Sequence, residues 1–143
     1  ISSLSQPFRP TAKSVHLKEL TNVELIMPSD SHGLRSHLIA AFERLRVQPN
    51  IVMEIDGLAL LMDAVREGHG ATIQPGAAAA RLNHDELCIA RIVDKHVGRR
   101  NLLVSLPGDE LSPSALATRT VIANVAQQLA KEGRWPGANL IHE

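Results

Sequence analysis

An α/β fold with a parallel central sheet and helices on both faces is the architecture this sequence predicts. Three observations lead there. Short apolar runs rich in strand formers alternate with longer stretches whose apolar residues recur every three or four positions. Strand, helix, strand, helix and strand follow one another between Leu25 and Gln74, and two right-handed crossovers would lay those strands parallel. The chain has 143 residues, 44% hydrophobic and 21% charged, which suffices for one domain with its own core.

The elements read in order as follows. Residues 1–22 are polar and interrupted by Pro7 and Pro10, so Ile1–Ser14 reads as a loop or linker and Leu17–Leu20 as one helical turn. Leu25-Ile26-Met27, closed by Pro28, reads as a buried strand. Leu34, Leu38, Phe42 and Leu45 share one face of a helix running from about Ser31 to Arg46. Pro49 ends the connection to Ile51–Ile55, a run of strand formers. Asp56 is suited to cap a second helix, because its carboxylate can accept from a free backbone N–H. Leu58, Leu61, Met62 and Val65 give that helix its stripe, and Gly68 offers a left-handed stop. Ala71–Gln74 reads as a third strand ended by Pro75-Gly76, and Ala77–Leu82 as a short alanine-rich helix. Leu87–Ile92 and Asn101–Leu106 read as further strands. Ser112-Pro113 opens a last helix, with Ser as cap and Pro at the first helical position. Ile122, Val125, Ala126 and Leu129 carry its inner face and Gly133 ends it.

Composition removes several function classes. Fifteen basic residues balance fifteen acidic ones, so this stretch carries no electrostatic footprint for nucleic acid. Aromatics are 2% with no Tyr, which leaves no stacking platform for bases or sugars. Cys88 stands alone, so no internal disulfide can form. No apolar run reaches the roughly 20 residues of a membrane span, and no signal peptide pattern opens the chain. A cytoplasmic protein is expected. The first residue is Ile1 rather than Met, which suggests a segment of a longer protein.

Catalytic and metal chemistry find little support. Glu54 and Asp56 are two apart on a strand and share a face, yet a rim acid beside a helix cap is the plainer reading. His32 and His37 are five apart, which separates them by about 140° on a helix. None of the seven histidines shows zinc spacing with another, so no metal and no cofactor is expected. Gly68-His69-Gly70 precedes a strand, the reverse of a dinucleotide fingerprint. Cys88 reads as core and Arg99-Arg100 as a solvated strand entry.

The best candidate for binding is Ser29-Asp30-Ser31-His32-Gly33, a polar loop running from the carboxyl end of a strand into a helix. Free N–H groups and the helix dipole converge at such loops. Capping of the helix by Ser29, Asp30 or Ser31 is the equally simple alternative. The second candidate is the turn Thr72, Gln74, Pro75 and Gly76, where Gly76 permits close approach to backbone. Together the two segments favour a small anion, most simply a carboxylate, held by Ser29 or Ser31, by His32 and by backbone.

The stretch from Met53-Glu54-Ile55-Asp56-Gly57-Leu58 to Pro75 resembles the LysR family of transcriptional regulators. Val65, Gly68, Gly70 and Pro75 fit that family's V-x-x-G-x-G-x-x-x-x-P pattern, and Leu111-Ser112-Pro113-Ser114-Ala115 resembles its final helix start. The phrases MEIDGLALLMDAV and GATIQPGAAAA are most similar to its nitrogen assimilation control subgroup. The likeness covers roughly Leu17 to Trp135.

That resemblance implies a periplasmic-binding-protein-like (type 2) effector domain of two Rossmann-like subdomains. Residues 1–22 would be linker and part of subdomain one or the hinge, 23–93 subdomain two, and 94–143 the return strand and last helix of subdomain one. It implies no enzyme activity. It implies a small-molecule effector, assembly into a homodimer or homotetramer, and DNA contact only through an N-terminal domain outside this stretch. An effector-independent assembly module is the alternative, and a small-molecule enzyme a remote one.

Overall fold

The computed structural model describes residues 1–4, 13–79 and 86–141. In chain order the strands and helices are β1 (Ser2–Ser3), β2 (Ser14–Val15), β3 (Glu24–Met27), α1 (Gly33–Arg44), β4 (Asn50–Glu54), α2 (Leu58–Arg66), α3 (Gly76–Ala79), β5 (Leu87–Cys88), β6 (Arg91–Ile92) and α4 (Pro113–Lys131), with a 3-10 turn at Leu17–Leu20. Two compact units result: Ile1–Gln74 with Arg81–Arg99, and Pro75–Ala80 with Arg100–Glu143.

The first unit is organised around β3. On one side it pairs in parallel with β4, Leu25 opposite Ile51. On the other side Leu25 bridges Ala71, again in parallel. Ile26 N donates to the Ala71 carbonyl at 2.7 Å, and Ala71 N donates to the Glu24 carbonyl at 2.8 Å. The spatial order is therefore β4, β3, Ala71. Hydrogen bonds continue outward, because Ile1 and Thr72 exchange two backbone bonds of 2.8 Å each, and β1 pairs antiparallel with β5.

Alternation along β3 sends its side chains to two separate cores. Leu25 and Met27 pack with Leu34, Leu38, Ala41 and Phe42 of α1. Ile26 packs with Leu61, Met62 and Val65 of α2. The two helices thus cover opposite faces of the strand, as right-handed crossovers running in opposite directions require. Two glycines make the return from α2 possible. Gly68 takes φ +83°, a left-handed stop that a Cβ disfavours. At Gly70 a Cβ would stand 2.8 Å from Ile26 Cγ1 and 3.1 Å from the Glu24 carbonyl, so only glycine lets the backbone close on β3.

The parallel sheet expected from the sequence is narrower than a full central sheet. Among the described residues the ladders are three two-stranded pairs, and the predicted strand Ala71–Gln74 contributes one bridge. Pro28, which has no N–H to donate, ends β3 after four residues, and the register shifts between Leu25 and Ile26. The predicted loop over residues 1–14 contains β1 and the first residue of β2, strands whose partners β5 and β6 lie far along the chain. The single strand predicted over Leu87–Ile92 is divided into β5 and β6 for the same reason. Residues 80–82 of the predicted alanine-rich helix lie outside the described residues. Among those described, no helix is long and apolar enough to cross a membrane.

The second unit centres on α4. Ser112 caps it, its hydroxyl accepting from Ala115 N at 3.2 Å, with Pro113 at the first position. The run 101–106 forms no strand. Leu102 and Val104 are 78% and 85% exposed, and Arg119 of α4 holds the run by donating to Ser105 Oγ at 3.1 Å. No residue of α4 is buried, and Val121, Ile122 and Val125 line an open apolar stripe.

Candidate functional site

Parallel pairing puts the ends of β3, β4 and the Ala71 segment at one carboxyl edge. Three connections leave it: residues 28–32, Ile55-Asp56, and Thr72–Gln74. The chain runs from β3 through α1 to β4 on one side, and from β4 through α2 to Ala71 on the other. Strand order therefore reverses between β3 and Ala71. In open α/β sheets ligands bind outside the carboxyl ends of strands at such a switch point.

The first loop is tied down by its own side chains. Ser29 N and Ser29 Oγ both donate to Asp56 Oδ1, at 2.9 and 2.8 Å. Ser29 Oγ also meets Ser31 Oγ at 3.0 Å. The two donors from Ser29, backbone first, hold the Asp56 carboxyl below the usual range for aspartate. Ser29 is thus already on a carboxylate, that of the chain itself.

Beneath the loop lies Arg35, in the first turn of α1 and only 8% exposed. Nη1 donates to the Pro28 carbonyl at 3.0 Å and pairs with Glu54 at 3.0 Å. Nη2 pairs with Asp30 at 3.1 Å, although the Asp30 side chain is 87% exposed. Nε is buried and meets no acceptor among the described residues.

The caps differ from those expected. α1 is capped by His32, whose Nδ1 accepts from Leu34 N at 3.2 Å, and not by Ser29, Asp30 or Ser31. α2 begins at Gly57 without a side-chain cap, because Asp56 reaches across to Ser29 instead. Both donors of Ser29 meet the same oxygen, Oδ1, which draws the Asp56 side chain toward the neighbouring loop and away from the start of α2.

Of the residues singled out from sequence, Ser29, Asp30, Ser31 and His32 gather at this loop. Thr72 and Gln74 stand at the same edge, Gln74 Nε2 donating to Thr72 Oγ1 at 3.1 Å. Among the described residues no hydrogen bond joins the two groups. Pro75 and Gly76 belong to the second unit, where the space a Cβ would take at Gly76 is filled by the Pro136 backbone. That close approach, expected for a ligand, is made by the chain itself. Glu54 and Asp56 serve different partners, Arg35 and Ser29.

Sequence reasoning missed Arg35. The signal was its position, three before Leu38 and seven before Phe42, on the stripe that faces the core. His37 is occupied elsewhere, its Nε2 3.0 Å from the Val97 carbonyl. Among the described residues no three His, Cys, Asp or Glu side chains are grouped to hold a metal ion. Each unit has a surface hollow among its described residues, and neither is lined by a residue of the loop. Phe42, Val47 and Ile51 line the first, and Leu103, Ala115 and Ile122 the second.

Comparison with known proteins points one way. The family model described as the LysR substrate binding domain matches residues 5–129. The nitrogen assimilation regulatory protein nac of Klebsiella aerogenes is 28% identical over 123 residues, 85% of this chain and 40% of that protein. Its namesake in Escherichia coli (strain K12) is 27% identical over 129 residues, with the same coverage of 85% and 40%. The chain therefore spans about two fifths of the length of the curated relatives it matches. No solved structure matches.

Proposed function

Because this chain belongs to the LysR substrate-binding domain family, a family of regulators rather than enzymes, we propose that it is the effector-sensing part of a DNA-binding transcriptional regulator. A small anion, most simply a carboxylate, would be held at the loop Ser29–His32 and the segment Thr72–Gln74. The full regulator would work in the cytoplasm as a homodimer or homotetramer. It would read DNA through a segment outside this chain, whose own net charge is zero. In the complete effector domain residues 23–93 would form a Rossmann-like subdomain of a periplasmic-binding-protein-like fold.

One observation carries the reading: strand order reverses between β3 and Ala71, and the two candidate segments leave the sheet at that reversal. A ligand there that favours one arrangement of the protein shifts its population and hence its action on DNA.

The experiment uses the full-length regulator. Small carboxylates, amino acids and nitrogen metabolites are screened by thermal shift, since binding to the native state alone raises the melting temperature. Any hit is then titrated against Ser29→Ala and Gln74→Ala, each first shown to be folded. At least one variant should lose affinity about tenfold, the scale of a lost hydrogen bond. Unchanged affinity in both overturns the site.

A second reading is favoured by the Asp56 carboxylate on Ser29: an assembly module whose loop needs no effector. A screen without any hit, together with an intact oligomer, selects that reading.

A further inference from the structure

We propose that Arg35 is the residue that anchors the effector, taking a carboxylate on the edge of its guanidinium that Asp30 now half occupies. This rests on the effector-sensing reading and deepens it by naming the anchor. The planar guanidinium offers donors along distinct edges. Nη1 is fixed from within, by the Pro28 carbonyl and Glu54. The opposite edge, Nε with Nη2, suits the two oxygens of one carboxylate in parallel hydrogen bonds. On that edge Nε has no acceptor among the described residues, and Nη2 holds Asp30 alone.

A buried donor without a partner is uncommon and costs free energy. Here the unsatisfied group lies at the foot of the switch-point loop. Asp30 is a weak occupant. Its side chain is 87% exposed, so it keeps most of its contact with water while it meets Nη2 and gives up little when it leaves. A ligand carboxylate offers Nη2 the same charge and adds an acceptor for Nε. Asp30 then swings into water, where its charge is well solvated. The hydroxyl of Ser31, 3.0 Å from Ser29 Oγ, stands in the same loop as a donor for a further ligand oxygen.

Exchange of one carboxylate for another makes two side chains act in opposite directions. Arg35→Lys keeps the charge but loses the fork. Asp30→Asn removes the competitor and leaves the fork. The test titrates the full-length protein with acetate, succinate and inorganic phosphate, with ethylamine and glycerol as controls, by isothermal calorimetry and by the shift of the Arg35 Nε–H resonance.

Wild type should bind a carboxylate, Asp30→Asn should bind it roughly three- to fivefold tighter, the scale of one exposed ion pair, and the Nε–H resonance should move on saturation. Arg35→Lys should weaken binding at least tenfold. Asp30 is a surface residue, so its variant stays informative even if Arg35→Lys folds poorly. Carboxylate affinity unchanged or weakened in Asp30→Asn overturns the proposal. So does an absence of carboxylate binding by both wild type and Asp30→Asn. A ligand whose affinity depends on Ser29 but not on Arg35 also overturns the anchor while leaving effector sensing intact.

Discussion

Phe42 and Leu61 hold the two sides of one strand. Phe42 is fully buried on the α1 side and Leu61 is 1% exposed on the α2 side. Both positions were legible from helical spacing alone. Truncating either to alanine removes buried carbons and leaves a cavity that a tightly packed core fills only in part. Each variant should lose on the order of 2–5 kcal/mol in urea unfolding, and a loss below about 0.5 kcal/mol would mean the faces are misassigned. Arg35 was not legible in the same way. Spacing puts it on the inner stripe, but only Glu54, Pro28 and Asp30, reached by folding, explain how a charge is tolerated there.

Between elements, the tie from Asp56 to Ser29 clasps the connection after β4 to the connection after β3. Its pH dependence follows from the direction of the Asp56 shift. The carboxyl titrates below its ordinary value in the folded protein, so the clasp contributes fully above the ordinary aspartate range, about 3.9. It is lost as pH falls through the lower, folded value. The Ser29 amide resonance should therefore stay constant from neutral pH down to about 4 and move only in more acidic solution. A midpoint near neutrality would contradict the clasp.

Element existence was readable from local pattern: α1, α2, α4, β3 and β4 all fall where apolar spacing puts them. The Ser112 cap and the Gly68 stop follow from residue chemistry. What local pattern could not give was partnership. β1 and β2 exist because β5 and β6 return to them, while the apolar run 101–106 pairs with no strand among the described residues. Likewise His32 and Asp56 both have capping chemistry, and only their neighbours decide that one caps α1 and the other crosses to Ser29.

At the scale of the whole molecule, the two units differ in how much apolar surface they hide. The first contains both cores. In the second, Val121, Ile122 and Val125 of α4 are 60%, 49% and 47% exposed, beside exposed Leu102, Val104 and Leu106. An apolar stripe of that extent drives association. The purified chain should therefore self-associate, its sedimentation coefficient rising with concentration, and a strictly monomeric species at high concentration would contradict this. The central position of β3 also bears on biosynthesis. The ribosome delivers Leu25-Ile26-Met27 before Ile51 or Ala71 exists, so the strand that ends in the middle is made first. At translation rates of about 5–20 residues per second it waits some seconds with both edges bare. During that interval the nascent chain carries an apolar segment open to pairing with any other strand, and α2 with the Gly68–Gly70 return must be synthesised before the exposure ends.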